Sequence, residues 1–140
     1  MIQVDYNLSG VACDYHTKKV IKNTTISIVA SQIKVDANHK IVLDTTGNPL
    51  KVGTPFSANL SIDGSYIIAN LSSGIFQVDV TDGTSHPTYG SNSYFVVING
   101  YDVHLDIELA KVERVRKIMN DMAADVSMKK LKFHEVFFKD

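Results

Sequence analysis

The stretch from Asp63 to Gly83 reads DGSYIIANLSSGIFQVDVTDG, and this stretch decides the fold class of the chain. Two Asp-Gly turn signals bracket two runs in which apolar and polar residues alternate, with NLSSG between the runs. Side chains on a β-strand point to opposite faces with a period of two, so each run predicts a strand with one buried and one solvated face. Glycine tolerates the positive φ angles of tight turns, which places turns at both ends of the stretch.

The alternation also predicts which side chains form the core. Tyr66 and Ile68 share one face of the first strand, while Phe76, Val78 and Val80 share one face of the second. Because one face of each strand has to be buried, we expect these residues to lie inside the domain.

The same stretch resembles the carboxypeptidase regulatory-like domain, a β-sandwich of the transthyretin (prealbumin) type. That family repeats the pattern D-G-x-[FY]-x-[FI]-x-N-L-x-x-G-x-[YF]-x-V-x-V, which residues 63–80 match without a gap. Residues 44–50 are similar to its D-x-x-G-x-P-L turn, and residues 103–109 to its closing strand. The resemblance implies an Ig-like/transthyretin-like antiparallel β-sandwich but no particular function, because one fold hosts many functions. The short segment between Leu50 and Asp63 predicts that the family's second strand is truncated here.

Composition narrows the class of protein. The content of 44% hydrophobic and 21% charged residues is that of an ordinary globular protein, and the net charge of −1 argues against non-specific nucleic-acid binding. Cys13 is the single cysteine, so an intrachain disulfide is excluded. No apolar run approaches the roughly 20 residues that cross a bilayer. The first residues lack the pattern of a signal peptide, so we expect synthesis and folding in a reducing cytoplasm.

Charge and periodicity change together near residue 110. Residues 1–109 hold 6 Lys and no Arg against 10 acidic residues, whereas residues 110–140 hold 8 basic residues against 5 acidic ones. The first part is predicted to be the β-sandwich, with residues 1–40 either completing it or forming an N-terminal arm. The second part is predicted to be a docking segment, with an amphipathic helix from about Leu109 to Ala124 and an apolar tail.

This C-terminal part supplies the predicted binding surface. Methionines on the apolar stripe of the helix suit an adaptable contact, and aromatic residues near a chain end suit anchors in an interface. The predicted partner-binding residues are Met119, Met122, Leu131, Phe133, Phe137 and Phe138.

Candidate catalytic chemistry is sparse. Asp102, His104, Asp106 and Glu108 alternate along one predicted strand and could bind a divalent cation, although a solvated sheet face gives the same pattern. The five histidines lack the spacings of zinc ligands, and no motif of a hydrolase or nucleotide-binding enzyme is present. Carboxylates near turns, such as Asp36, are explained by Asx turns. We therefore expect no enzymatic activity, no cofactor and no metal.

The sequence is consistent with a non-enzymatic structural protein. Elimination and analogy favour an accessory component of a tailed-phage virion, such as a capsid decoration protein or a neck or tail adaptor. Its partners would be capsid, portal or tail subunits or further copies of the chain, with neither nucleic acid nor membrane involved. The expected location is the virion.

Three alternatives belong to other classes. The first is a carbohydrate- or surface-binding module that uses Tyr89, Tyr94 and Tyr101 near the long loop of residues 82–93 as a platform. The second is an accessory domain of a bacterial cell-envelope assembly. The third is a metal-dependent enzyme, which requires Asp102, His104 and Asp106 to converge with a distant ligand.

Overall fold

Two β-sheets packed face to face form the body of the protein, and one helix follows them. The computed structural model describes residues 5–124, with the side chains of residues 5–121. The predicted mainly-β sandwich with a C-terminal helix is confirmed. In chain order the elements are β1 (Tyr6–Asp14), β2 (Ile26–Ile33), β3 (Lys51–Asn59), β4 (Ser65–Leu71), β5 (Gly74–Asp82), β6 (Asn92–Ile98), β7 (Val103–His104), β8 (Ile107–Leu109) and α1 (Val112–Ala124).

The two sheets differ in their pairing. In the first sheet, β1 lies in the centre, antiparallel to β4 on one side and parallel to the short strands β7 and β8 on the other. The second sheet has the order β3-β2-β5-β6 and is antiparallel throughout. The two strands of the deciding stretch therefore lie in different sheets. The chain crosses between them where Asn70 and Gly74 take positive φ angles of 67° and 157°, conformations that Asn and Gly adopt more readily than other residues.

The predicted core residues are buried. Tyr66 and Ile68 are 3% exposed, and Phe76, Val78 and Val80 are fully buried. Every second residue of β1 is buried as well, so the central strand of the first sheet contributes one complete face to the same core.

Two predictions about strands are wrong. The strand after Leu50 is not truncated, because β3 runs for nine residues and pairs with β2 along most of its length. Its residues are almost all exposed, so the strand does not show the alternation of apolar and polar residues by which a half-buried strand is recognised in a sequence. The row from Asp102 to Glu108 is not one strand either, since β7 has two residues, β8 has three, and the chain leaves the ladder at Leu105 and Asp106.

The break between β7 and β8 lies beside Gly10 of β1. A Cβ atom at Gly10 would clash with the carbonyl oxygen of Leu105 and lie 2.7 Å from its carbonyl carbon. Tyr66, which pairs with Gly10 across β1 and β4, donates its hydroxyl to that same Leu105 oxygen at 2.6 Å. Glycine at position 10 thus lets the carbonyl turn inward to meet a buried donor.

Side chains restore the ladder where the backbone leaves it. The carboxylate of Asp102 accepts the Asn7 amide at 2.9 Å, and the carboxylate of Asp106 accepts the Val11 amide at 3.0 Å. Between them, the Leu105 amide donates to the Ser9 carbonyl at 2.8 Å. The two carboxylates therefore satisfy backbone donors on the open side of β1, which would otherwise lose hydrogen bonds.

The helix begins later than the sequence predicts. It begins at Val112 instead of near Leu109, because Leu109 ends β8 and Ala110 is buried beside it. The proposed division of the chain at residue 109 stays a prediction.

We expect Gly10→Ala to destabilise the protein by roughly 1–3 kcal/mol, because the new methyl group forces the Leu105 carbonyl away from the Tyr66 hydroxyl. Gly90→Ala is the matched control, since its Cβ would meet its nearest atom at an ordinary 3.7 Å. Chemical unfolding followed by circular dichroism measures both variants. Equal stabilities of the two variants would contradict the close approach at Gly10.

Candidate functional site

A cleft of about 690 Å³ opens between the β5–β6 loop and the first turns of α1. The loop contributes hydroxyl and imidazole groups, Lys111 just before the helix contributes one cation, and α1 contributes a second cation and one carboxylate. The lining residues are Ser85, His86, Pro87, Thr88, Lys111, Val112, Glu113 and Arg116. The lining therefore mixes polar and apolar groups and carries a positive balance of charge.

Asp82, at the end of β5, fixes the loop side of the cleft. Its buried carboxylate accepts the Thr88 amide at 2.9 Å and the Thr25 hydroxyl at 2.8 Å. Burial by itself raises the pKa of Asp82, but the hydrogen bonds from Thr25, Thr88 and Thr84 outweigh it and hold that pKa below its usual range. Asp82 thus stays ionised and ties the loop to the segment that precedes β2.

Backbone hydrogen bonds fix the helix side of the cleft. The Val112 amide donates to the Thr88 carbonyl at 2.8 Å, and the Gly90 amide donates to the Ala110 carbonyl at 2.9 Å. Tyr89 packs against the core beneath this junction, and burial, together with the neighbouring Asp14 carboxylate, raises the pKa of its phenol. The loop and the start of α1 therefore hold each other in place.

The cleft offers hydroxyl, imidazole and charged groups that suit binding. No hydrogen bond joins the Ser85 hydroxyl to the His86 ring within the described residues, so the pair lacks the contact that activates a serine nucleophile. Lys111 and Arg116 are exposed and suit a polar or anionic group.

A second feature lies on the outer face of the β3-β2-β5-β6 sheet. The Asp79 carboxylate accepts the Ser93 hydroxyl at 2.7 Å, the Gln77 amide at 2.9 Å and the Lys51 ammonium at 3.2 Å. Partial burial raises the pKa of Asp79, but these donors outweigh it and lower that pKa overall. Next to this network, Phe95 on β6 is 60% exposed.

The structure does not bring the predicted tyrosine platform together, so that prediction is wrong. Tyr89 and Tyr94 pack against the core, and the Tyr94 hydroxyl accepts the Glu108 amide at 2.9 Å. Tyr101 is 80% exposed, but it lies at the opposite end of the sheet, next to Gly100, whose amide donates to Ser73. Tyr94 precedes the buried Val96 and Ile98 by two and four residues, so the period of two along the strand predicts that it points inward with them.

The predicted metal row is used for structure. Asp102 and Asp106 accept amides of β1, and His104 contacts Asp106 at 2.8 Å on the surface. Within residues 5–124, no three His, Cys, Asp or Glu side chains come together as metal ligands. The Asx turn expected at Asp36 is confirmed, since its carboxylate accepts the Asn38 amide at 2.8 Å.

The predicted partner-binding residues lie at or beyond the edge of the described region. Met119 is 54% exposed on α1, although it follows the half-buried Val112 and Val115 by seven and four residues and so lies on the same side of the helix. The side chain of Met122 lies outside the described residues, as do Leu131, Phe133, Phe137 and Phe138. Their role stays a prediction. In the described part of the chain, no helix combines the length and apolar character needed to cross a membrane.

Comparison with known proteins gives likenesses in structure alone. No family model matches the sequence, and no curated protein matches it. The full-length major pilin SpaD from Corynebacterium diphtheriae superposes with a TM-score of 0.59 and 13% identity, over 76% of this chain and 30% of the pilin. A mutant of the shaft pilin SpaA from Lactobacillus rhamnosus GG superposes with a TM-score of 0.51 and 13% identity, over 78% of this chain and 46% of the pilin. A DUF3823 family protein from Parabacteroides merdae superposes with a TM-score of 0.50 and 17% identity, over 77% of this chain and 47% of that protein.

These likenesses place the chain among Ig-like/transthyretin-like β-sandwiches. At such low identity they show the fold and nothing finer, so the resemblance to the carboxypeptidase regulatory-like domain in particular stays a prediction. The chain spans about a third to a half of the length of these proteins. None of the three is described as a virion protein.

We expect Asp82→Asn to reduce stability at neutral pH by about 1–3 kcal/mol, because buried donors lose a charged acceptor. The pKa of Asp82 is lowered in the folded state, so its contribution is complete above the ordinary value of 3.8 and disappears as the pH falls through the folded value. Below the ordinary value, the free energy of unfolding should therefore fall less steeply with decreasing pH in the variant than in the wild type.

Denaturant unfolding at a series of acidic pH values measures this difference. Asp121→Asn is the control, since Asp121 is an exposed carboxylate on α1. Parallel pH profiles for wild type and Asp82→Asn would contradict the role of Asp82 as the ionised anchor of the loop.

Proposed function

We propose that this chain is a non-catalytic β-sandwich module of a surface structure, such as a pilus-like fibre or another cell-envelope assembly. In this function the sandwich is a rigid body presented outside the cell. The module acts by contact with other macromolecules and not by chemical conversion of a substrate.

One observation carries the proposal: carboxylates that could have served as catalytic groups or metal ligands accept hydrogen bonds from the fold itself. Asp82 ties down the β5–β6 loop, Asp79 organises the outer face of one sheet, and Asp102 and Asp106 bond the open side of β1. Asp14 is buried and accepts the amides of the turn that follows it. Among the described residues, the cleft beside α1 and the exposed Phe95 on β6 remain for function, and both suit binding.

The choice of assembly rests on structural likeness. Two of the three superposed proteins are pilin subunits, and this chain has the size of one part of each. A small domain that is repeated or joined to others in a fibre needs rigidity and contact surfaces, which a well-packed sandwich supplies. We extend the proposal to the C-terminal part, where Met119 and Met122 of α1, together with Leu131, Phe133, Phe137 and Phe138, attach the module to its neighbour.

The virion assignment draws no support from these likenesses. A β-sandwich serves equally well as a capsid decoration or as a pilus domain, so the fold itself does not separate the two. The location of the protein separates them directly.

Antibodies against the purified chain test the proposal on cells of the native organism. We expect immunogold label on the outside of intact cells or on fibres that extend from them, and no label on cells from which the gene is deleted. Label that requires permeabilised cells, or label on purified phage particles, would overturn the surface assignment, and the second of these results would establish the virion alternative.

A further inference from the structure

Within residues 5–124 the sandwich has four open sheet edges, and three of them carry features that discourage pairing with another chain. An open edge presents unpaired amides and carbonyls, which proteins guard with charge, proline, bulges or short strands. In β3, Lys51 brings a charge, Gly53 takes a positive φ of 72°, and Pro55 lacks an amide hydrogen. The edge formed by β7 and β8 is broken and bordered by Asp102 and Asp106.

The β4 edge is guarded by irregularity. Its register with β1 shifts between Tyr6 and Leu8, and Asn70 near its end has a φ of 67°. Only a short regular run from Ser65 to Ile68 is left, and a short run is a poor template for another strand.

The fourth edge, β6, has none of these features. Its sequence NSYFVVI contains no charge, proline or glycine, and its pairing with β5 is unbroken from Asn92 to Ile98. Among the described residues, no backbone hydrogen bond joins β6 to any segment other than β5. Phe95 and Val97 are 60% and 63% exposed on its outer face.

Strand geometry identifies which residues face the open side. In an antiparallel strand, alternate residues direct both backbone groups toward the same neighbour. The Ser93 amide is bonded to the Asn92 side chain at 2.9 Å, so it faces away from β5. Phe95 and Val97 share this parity, and their amides and carbonyls point to the open edge.

We propose that β6 pairs antiparallel with β6 of a second copy of this chain, about a two-fold axis at Phe95. Phe95 then lies opposite Phe95 of the second copy, and Ser93 lies opposite Val97. The pairing joins two four-stranded sheets into one continuous sheet of eight strands.

A second copy fits this edge because the strand is complementary to itself. A two-fold axis at Phe95 places Phe95 opposite Phe95 and Ser93 opposite Val97. All three residues direct their amides and carbonyls away from β5, so the unpaired backbone groups of the two copies face each other. The strand carries no charge, so the two-fold axis brings no like charges together. The directly opposed aromatic rings add a favourable cross-strand contact. An interface of one strand pair is small, so we expect a dimer that dissociates on dilution.

Analytical ultracentrifugation of the full-length protein over a range of concentrations tests the pairing. We expect the wild type to shift from the mass of one chain to that of two as concentration rises. Phe95→Lys places two positive charges opposite each other and should abolish the dimer. Ile67→Lys is the matched control, because Ile67 is 57% exposed on β4, and it should leave the dimer intact.

A charge-pairing experiment tests the register. Phe95→Lys and Phe95→Glu should each be a single chain, whereas their equimolar mixture should form a dimer, because opposite charges then face each other at the axis. Thermal melting by circular dichroism confirms that both variants fold. The proposal is overturned if the wild type stays a single chain at every concentration, if the dimer survives Phe95→Lys, or if the mixture does not associate.

Discussion

The hydrogen bond from the Tyr66 hydroxyl to the Leu105 carbonyl is the contact on which the first sheet depends. It spans 2.6 Å beside Gly10, where a side chain would clash with the Leu105 carbonyl. Burial, and then the nearby charge of Asp106, raises the pKa of Tyr66, so the hydroxyl remains a donor at any physiological pH. Because the carbonyl turns inward, the chain leaves the strand ladder there. The carboxylates of Asp102 and Asp106 then accept the β1 amides that a regular strand would have paired with its own carbonyls.

This arrangement explains why acidic residues that resemble a metal site serve the fold. A carboxylate oxygen that accepts a backbone amide is held in place by that bond. The same holds for Asp82 and Asp79, whose lowered pKa values reflect donors that the surrounding strands provide. Among the described residues, the cleft beside α1 and the edge strand β6 are surfaces that we propose for partners.

The fold class was predictable because period-two alternation and Asp-Gly turns are local signals. The same alternation identified Tyr66 and Phe76 as core residues, and it would have shown that Tyr94 points inward with Val96. The sheet to which each strand belongs was not predictable, since strand order depends on contacts distant in sequence. The break at Leu105 depends on Gly10, some 95 residues earlier, and the cleft depends on a loop meeting a helix. The exposed strand β3 carried no hydrophobic signal at all.

Hydrogen exchange of individual amides, followed by NMR on the nitrogen-labelled full-length chain, tests the account most directly. If the segment from Asp102 to Asp106 is locked onto β1, the amides of Asn7, Val11 and Leu105 should exchange as slowly as those of the central strands β2 and β5, through global unfolding. Exchange of these three amides at the rate of a solvent-exposed loop, with β2 and β5 still protected, would contradict the claim that Tyr66, Gly10 and the two carboxylates hold the sheet together.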